Sequence, residues 1–178
     1  YKTIITEAYL QPGKLFLCHY LKLKTKGMST SITHQELLRL AGEFGAPLYV
    51  YDAETMRRQY RKLEEAFKEC HVKIHYAMKA LSNIHVLKLF KEMGAGLDAV
   101  SIEEVKIGLM AGYQPAEILY TPNCVSFSEI EECVNLGVKL NIDNISILEQ
   151  FGNKYGSSVP VCIRVNPHIM AGGHYKIS

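Results

Sequence analysis

The chain has 178 residues, 48% of them hydrophobic and 21% charged, with a formal net charge of +2. That is enough apolar material for a real core, and the charge is too mild to point to nucleic acid. No apolar run approaches the ~20 residues of a membrane span, and the start lacks the apolar core of a secretory signal, so no membrane partner is expected.

The five cysteines, Cys18, Cys70, Cys124, Cys133 and Cys162, are widely spaced and form no C-x-x-C. They suggest neither a disulfide framework nor a zinc site, and a reducing cytoplasm fits best. Residues 1–27 read differently from the rest, with a turn at Pro12-Gly13 and a loosely alternating stretch from Lys14 to Lys26. Met28 then opens a segment that looks like a natural start. Residues 1–27 are therefore expected to be a poorly packed extension, an expectation that deep burial of Phe16 and Leu17 would refute. Residues 28–178 are expected to be the amino-terminal part of a larger domain.

Thr33 with Glu36 predicts a capping box ahead of a helix that stops at Gly45. A strand from Leu48 to Tyr51 follows. Asp52 caps an amphipathic helix to about Cys70, with Met56, Tyr60, Leu63 and Phe67 as its buried stripe. Val72, Ile74, Tyr76 and Met78 then alternate with Lys73, His75 and Ala77, the period of a two-faced strand, which Lys79 ends. Asn83 offers an N-cap for a helix carrying Val86, Leu87, Phe90 and Met93, closed by Gly94.

The pattern repeats along the remaining chain. Strands are predicted at 97–101, 118–121, 138–142 and 161–165, and helices at 102–111, 127–136 and 145–155. Strand-helix alternation with short joins calls for parallel strands and right-handed crossovers. An open doubly wound sheet and a (β/α)8 barrel both satisfy it. The dinucleotide pattern G-x-G-x-x-G and the P-loop pattern are missing, and Gly94-Ala95-Gly96 precedes a strand, as a turn does. A barrel needs eight strands and typically about 250 residues. The barrel reading thus predicts an α/β fold that is a partial (β/α)8 TIM barrel, truncated after about five strands.

Lys79 sits where a strand hands over to a helix, the end of a parallel sheet at which ligands bind. Ala77 shares its face and is small enough either to leave room for a flat ring or simply to pack. Asp98 alternates with Leu97 and Ala99, and points away from the helices if they point toward them; it could pair with Arg164. Ser101 and Glu104 have capping-box spacing, which alone would account for both. Arg164 shares a predicted face with Cys162 and Asn166, opposite Val161, Ile163 and Val165, and a buried guanidinium there would need a partner. Asn123, Asn141 and Asp143 are explained by caps and turns.

Three segments carry a resemblance: Tyr76-Ala77-Met78-Lys79-Ala80 with Ser82-Asn83-Ile84-His85, Gly96 to Ser101 continuing through Glu104 to Tyr113, and Arg164-Val165-Asn166-Pro167. Together they resemble the pyridoxal-phosphate-dependent decarboxylases with an alanine-racemase-like barrel, the diaminopimelate decarboxylases most of all. The resemblance implies pyridoxal 5'-phosphate as cofactor, with Lys79 as the lysine that holds it in a Schiff base. It also implies that Asp98 lies near that lysine, that Arg164 approaches the cofactor ring, and that Glu104 contributes more weakly. Such chemistry demands an amine for the aldehyde, amides or cations for the phosphate and a carboxylate for the ring nitrogen. A partly buried, cation-rich setting is expected to favour the neutral amine of Lys79.

The implied reaction is the conversion of meso-2,6-diaminopimelate to L-lysine and CO2, in a cytoplasmic homodimer whose partner subunit completes the site. Residues 171–178 resemble the lead-in to later strands of that family. The glycine-rich phosphate loop and the carboxy-terminal β-domain are absent from this sequence, so the chain is expected to be inactive alone. Ornithine or arginine decarboxylase, alanine racemase and a non-catalytic pyridoxal-phosphate-binding barrel remain as alternatives.

Overall fold

A computed structural model describes residues 4–7 and 32–165. The chain divides into two compact units, residues 1–72 and 73–178.

The first unit holds β1 (Ile4–Glu7), α1 (His34–Phe44), β2 (Tyr49–Asp52) and α2 (Ala53–Ala66). β1 and β2 pair antiparallel, with Ile4 opposite Asp52. β1 falls within the segment expected to be an extension; Phe16 and Leu17 lie outside the described residues. Thr33 Oγ1 accepts from the Glu36 amide at 3.2 Å, and Gly45, at φ 85°, carries the chain out of α1 in a conformation that favours glycine. Asp52 caps α2 through the Thr55 amide. α2 ends at Ala66, short of the expected Cys70. Leu63 and Phe67, expected in its buried stripe, are each 45% exposed, so the last turn lacks the packing that sustains a helix.

The second unit is built on five parallel strands: β3 (His75–Ala77), β4 (Gly96–Ala99), β5 (Ile118–Tyr120), β6 (Lys139–Ile142) and β7 (Cys162–Ile163). α3 (Ile84–Glu92), α4 (Ile102–Met110), α5 (Phe127–Asn135) and α6 (Ile145–Tyr155) connect them in turn. Each strand pairs with the next in sequence. That order never reverses, which is the rule for a barrel; a doubly wound sheet switches direction.

In β4, β5 and β6 alternation divides the strand between two environments. Leu97, Ala99, Ile118, Tyr120, Leu140 and Ile142 are buried in one cluster with Leu87, Val105, Ile130, Cys133 and Phe151 from the helices. Gly108 lets α4 lie close to the sheet: a Cβ there would stand 2.8 Å from Leu97 Cδ1. Every helix begins on a side-chain cap, Asn83, Ser101, Ser126 or Asn144, so each strand turns into its helix at a fixed point.

Two strands are shorter than their patterns suggest. β3 starts at His75, leaving Val72 exposed, and β7 is confined to Cys162 and Ile163. Ile163 and Val165, expected to share one apolar face, are 61% and 76% exposed. Among the described strands β3 and β7 have a neighbour on one side only, so one turn of burial is missing at each edge. No described helix is long and apolar enough to cross a membrane.

Candidate functional site

The face of the sheet away from the helices carries the polar residues. Register places Ala77 beside Asp98, Asp98 beside Leu119, and Asn141 beside Cys162, and neighbours in register share a face. His75, Ala77, Asp98, Leu119 and Asn141 are only half-buried, unlike the alternate residues beneath the helices.

Lys79 lies just beyond β3, in a single 3-10 turn over Met78–Ala80. The turn is braced on both sides. Met78 is fully buried, and the Tyr76 hydroxyl donates to the Leu81 carbonyl at 3.1 Å while its ring stacks on Phe90 at 4.0 Å. Lys79 itself is exposed and has no partner among the described residues. The partly buried, cation-rich setting expected for it is not formed by the described residues.

Asp98 is half-buried, and its Oδ1 accepts a hydrogen bond from the Thr121 hydroxyl. It does not pair with Arg164. β5 and β6 intervene between β4 and β7, and three strand spacings of ~4.8 Å put the two residues about 14 Å apart across the sheet. Arg164 is exposed, held through its backbone amide to the Ile142 carbonyl at 2.9 Å. Glu104 is engaged locally: its carboxylate accepts from the Val100 amide at 2.8 Å, while the Ser101 hydroxyl accepts from the Glu104 amide at 3.2 Å. This is a capping arrangement reaching one residue further back than expected.

The structure thus brings Ala77 and Asp98 onto adjoining strands, with Lys79 in the turn just past Ala77 and Glu104 bonded to the backbone just past Asp98, and leaves Arg164 at the far edge. Sequence reasoning missed two contributors. Thr121 shares the open face with Leu119 by parity, a signal visible in Ile118-Leu119-Tyr120-Thr121. His75 Nδ1 stands 3.0 Å from the Leu97 carbonyl, and its ring covers Gly96, where a Cβ would come within 2.7 Å of His75 Cε1 and 2.9 Å of the Glu117 carbonyl. A glycine is required there for the imidazole to lie flat across β4.

Directly behind the site, the Tyr120 hydroxyl is buried with no hydrogen-bond partner among the described residues. Burial, then the nearby Glu129 carboxylate, holds this phenol well above its ordinary range, and burial pushes the neighbouring Cys133 thiol up to about 12.

Residues 53–178 match the family model of the pyridoxal-dependent decarboxylases, described as their pyridoxal-binding domain. Diaminopimelate decarboxylase of Methanothermobacter thermautotrophicus is 38% identical over 141 residues, covering 78% of this chain and 33% of that protein. The structure of the M. jannaschii diaminopimelate decarboxylase in co-complex with L-lysine matches with a TM-score of 0.67 at 29% identity, over 75% of this chain and 33% of that one. Lysine/ornithine decarboxylase of Vibrio vulnificus, complexed with putrescine, matches with a TM-score of 0.67 at 26% identity, over 75% of this chain and 37% of that one. The chain spans about a third of the length of the curated relatives it matches. A sequential parallel sheet with a lysine just past its first strand, matched over most of its length by that domain, makes this chain a member of the pyridoxal-dependent decarboxylase family.

Proposed function

We propose that this chain is the cofactor-holding part of a diaminopimelate decarboxylase, which releases CO2 from meso-2,6-diaminopimelate to leave L-lysine. The observation that carries the reading is Lys79 just past β3, with Asp98 on the neighbouring strand in register with Ala77. These residues fit the aldehyde end of pyridoxal phosphate. An exposed primary amine is available to it, a carboxylate stands on the adjoining strand, and the side chain at position 77 is no larger than a methyl group.

When bound, pyridoxal phosphate supplies the electron sink into which the breaking carbon–carboxylate bond delivers its electrons. Lys79 Nζ would hold the cofactor, as the exposed primary amine at this end of the sheet. Asp98 Oδ2, left free by the Thr121 bond to Oδ1, accepts from a cationic N–H, and that charge-assisted bond orients the group that donates it. Glu104 holds the Val100 amide and so fixes the turn that follows Asp98. Arg164 provides a cation at the far rim of the same sheet. The cytoplasmic location and the homodimer belong to the same proposal, as does an amino acid as the small-molecule partner.

Borohydride reduction of the chain with pyridoxal phosphate, followed by peptide mass spectrometry, tests the assignment. The cofactor mass is expected on the peptide containing Lys79 and is lost in Lys79→Ala; label spread over other lysines would overturn it. The likeness to lysine/ornithine decarboxylase supports a second reading in which the substrate is ornithine or another basic amino acid. Assay of the whole protein separates the two, lysine being the product of the first and a diamine that of the second.

A further inference from the structure

We infer that Thr121 is a positioning residue, which fixes the carboxylate of Asp98 so that Oδ2 alone faces the ligand. The inference rests on the reading of Lys79 and Asp98 as the cofactor end of the site.

The hydroxyl of Thr121 donates to Asp98 Oδ1 from just past β5 to the neighbouring β4. The Thr121 amide donates to the Ala99 carbonyl at 2.8 Å, extending the β4–β5 ladder one residue past β5 and setting the threonine beside the aspartate. Pro122, which is buried, follows immediately, and a residue before proline is held to extended backbone. Threonine is also β-branched and stiff at χ1. Backbone pairing, the proline and the branched side chain therefore converge on one position for a single hydroxyl.

An aspartate has no such restraint of its own. Its χ2 well is broad and two-fold, so an unbonded carboxylate presents either oxygen in a range of directions. Binding Oδ1 removes that freedom before any ligand arrives, and a donor approaching the open face meets one oxygen at a fixed angle. Preorganisation of this kind improves binding without adding a contact to the ligand. Asp98 has no other hydrogen bond or ion pair among the described residues, so Thr121 is the single brace on it there.

Thr121→Val keeps the branched shape and removes the donor, while Thr121→Ser keeps the donor. Affinity of the full chain for pyridoxal phosphate is read from the absorbance of the bound cofactor, with thermal melting as a control on folding. Thr121→Val is expected to weaken binding about tenfold, in keeping with loss of a hydrogen bond to a charged group. Thr121→Ser stays near wild type, and Thr121→Val adds no further loss when Asp98→Asn is already present. Binding by Thr121→Val within about twofold of wild type, or an equal loss in the Asp98→Asn background, would overturn the inference.

A cofactor-free measurement separates this from the function proposed above. The carbon resonance of the Asp98 carboxyl at pH 7 is expected to move in Thr121→Val and to stay in Thr121→Ser. A wild-type chain that takes up no pyridoxal phosphate defeats the functional reading alone, and the resonance then decides whether Thr121 orients Asp98.

Discussion

The two faces of the five-stranded sheet come from the same strands and are made for opposite purposes. Toward the helices, Leu97, Ala99, Ile118 and Tyr120 are wholly buried; one residue along, Ala77, Asp98 and Leu119 stand half open. The first face holds the unit together through apolar burial, at roughly 25 cal/mol per Å². The second carries Asp98, Thr121 and Asn141, whose polar groups are only half-buried. Function can change on the open face with little effect on stability, because the backbone between the two is fixed by the ladder and the capped helices.

Substitutions test how complete that division is. The largest effect is expected from Leu97→Ala, which removes a fully buried side chain and should cost about 3 kcal/mol, read by urea denaturation. Leu119→Ala, its counterpart on the open face, should cost less than about 1 kcal/mol, as half-exposed positions do. Equal losses would mean that the faces are not distinct.

Gly96→Ala sharpens the comparison, because it is a residue of the open face that is nonetheless buried. The new methyl meets the His75 ring and the rigid Glu117 carbonyl, and a loss of about 2 kcal/mol is expected on denaturant unfolding. Tyr120→Phe works from the other side. It removes a buried hydroxyl with no hydrogen-bond partner among the described residues, and the chain should melt at the same temperature or gain about 1 kcal/mol.

The smallest effect appears only at alkaline pH. A folded-state thiol raised to about 12 keeps its proton where the unfolded chain has lost it, so its contribution is complete below the unfolded value near 9 and disappears as pH rises through the folded one. Cys133→Val should leave the melting temperature near neutrality almost unchanged and flatten its decline between about pH 9 and 12.

Much of this was readable from periodicity. Alternation through Gly96-Leu97-Asp98-Ala99 is enough to place Asp98 away from the helices, and the caps Asn83 and Ser101 mark where strands end. The brace on Asp98 was not readable, because Thr121 lies 23 residues away and the contact depends on register, which no local pattern states. The failed pairing of Asp98 with Arg164 has the same origin. Opposite charges suggest a pair, but strand order separates them. Leu63 and Phe67 erred for another reason: an apolar stripe on α2 shows what a helix could bury, whereas burial also requires a surface to receive it.

The outer helices are tied together by ions as well as by oil. Lys106 of α4 pairs with Glu132 of α5 at 2.8 Å, and Lys154 of α6 pairs with Glu131 on the same helix. These links sit in solvent, where ~0.15 M salt screens charges beyond about 8 Å and each pair contributes little alone. Their arrangement makes α5 the hub between its two neighbours. A rise in ionic strength should therefore loosen the rim of the helical layer first, with hydrogen exchange quickening at the exposed turns of α4 and α6 while the strands beneath stay protected.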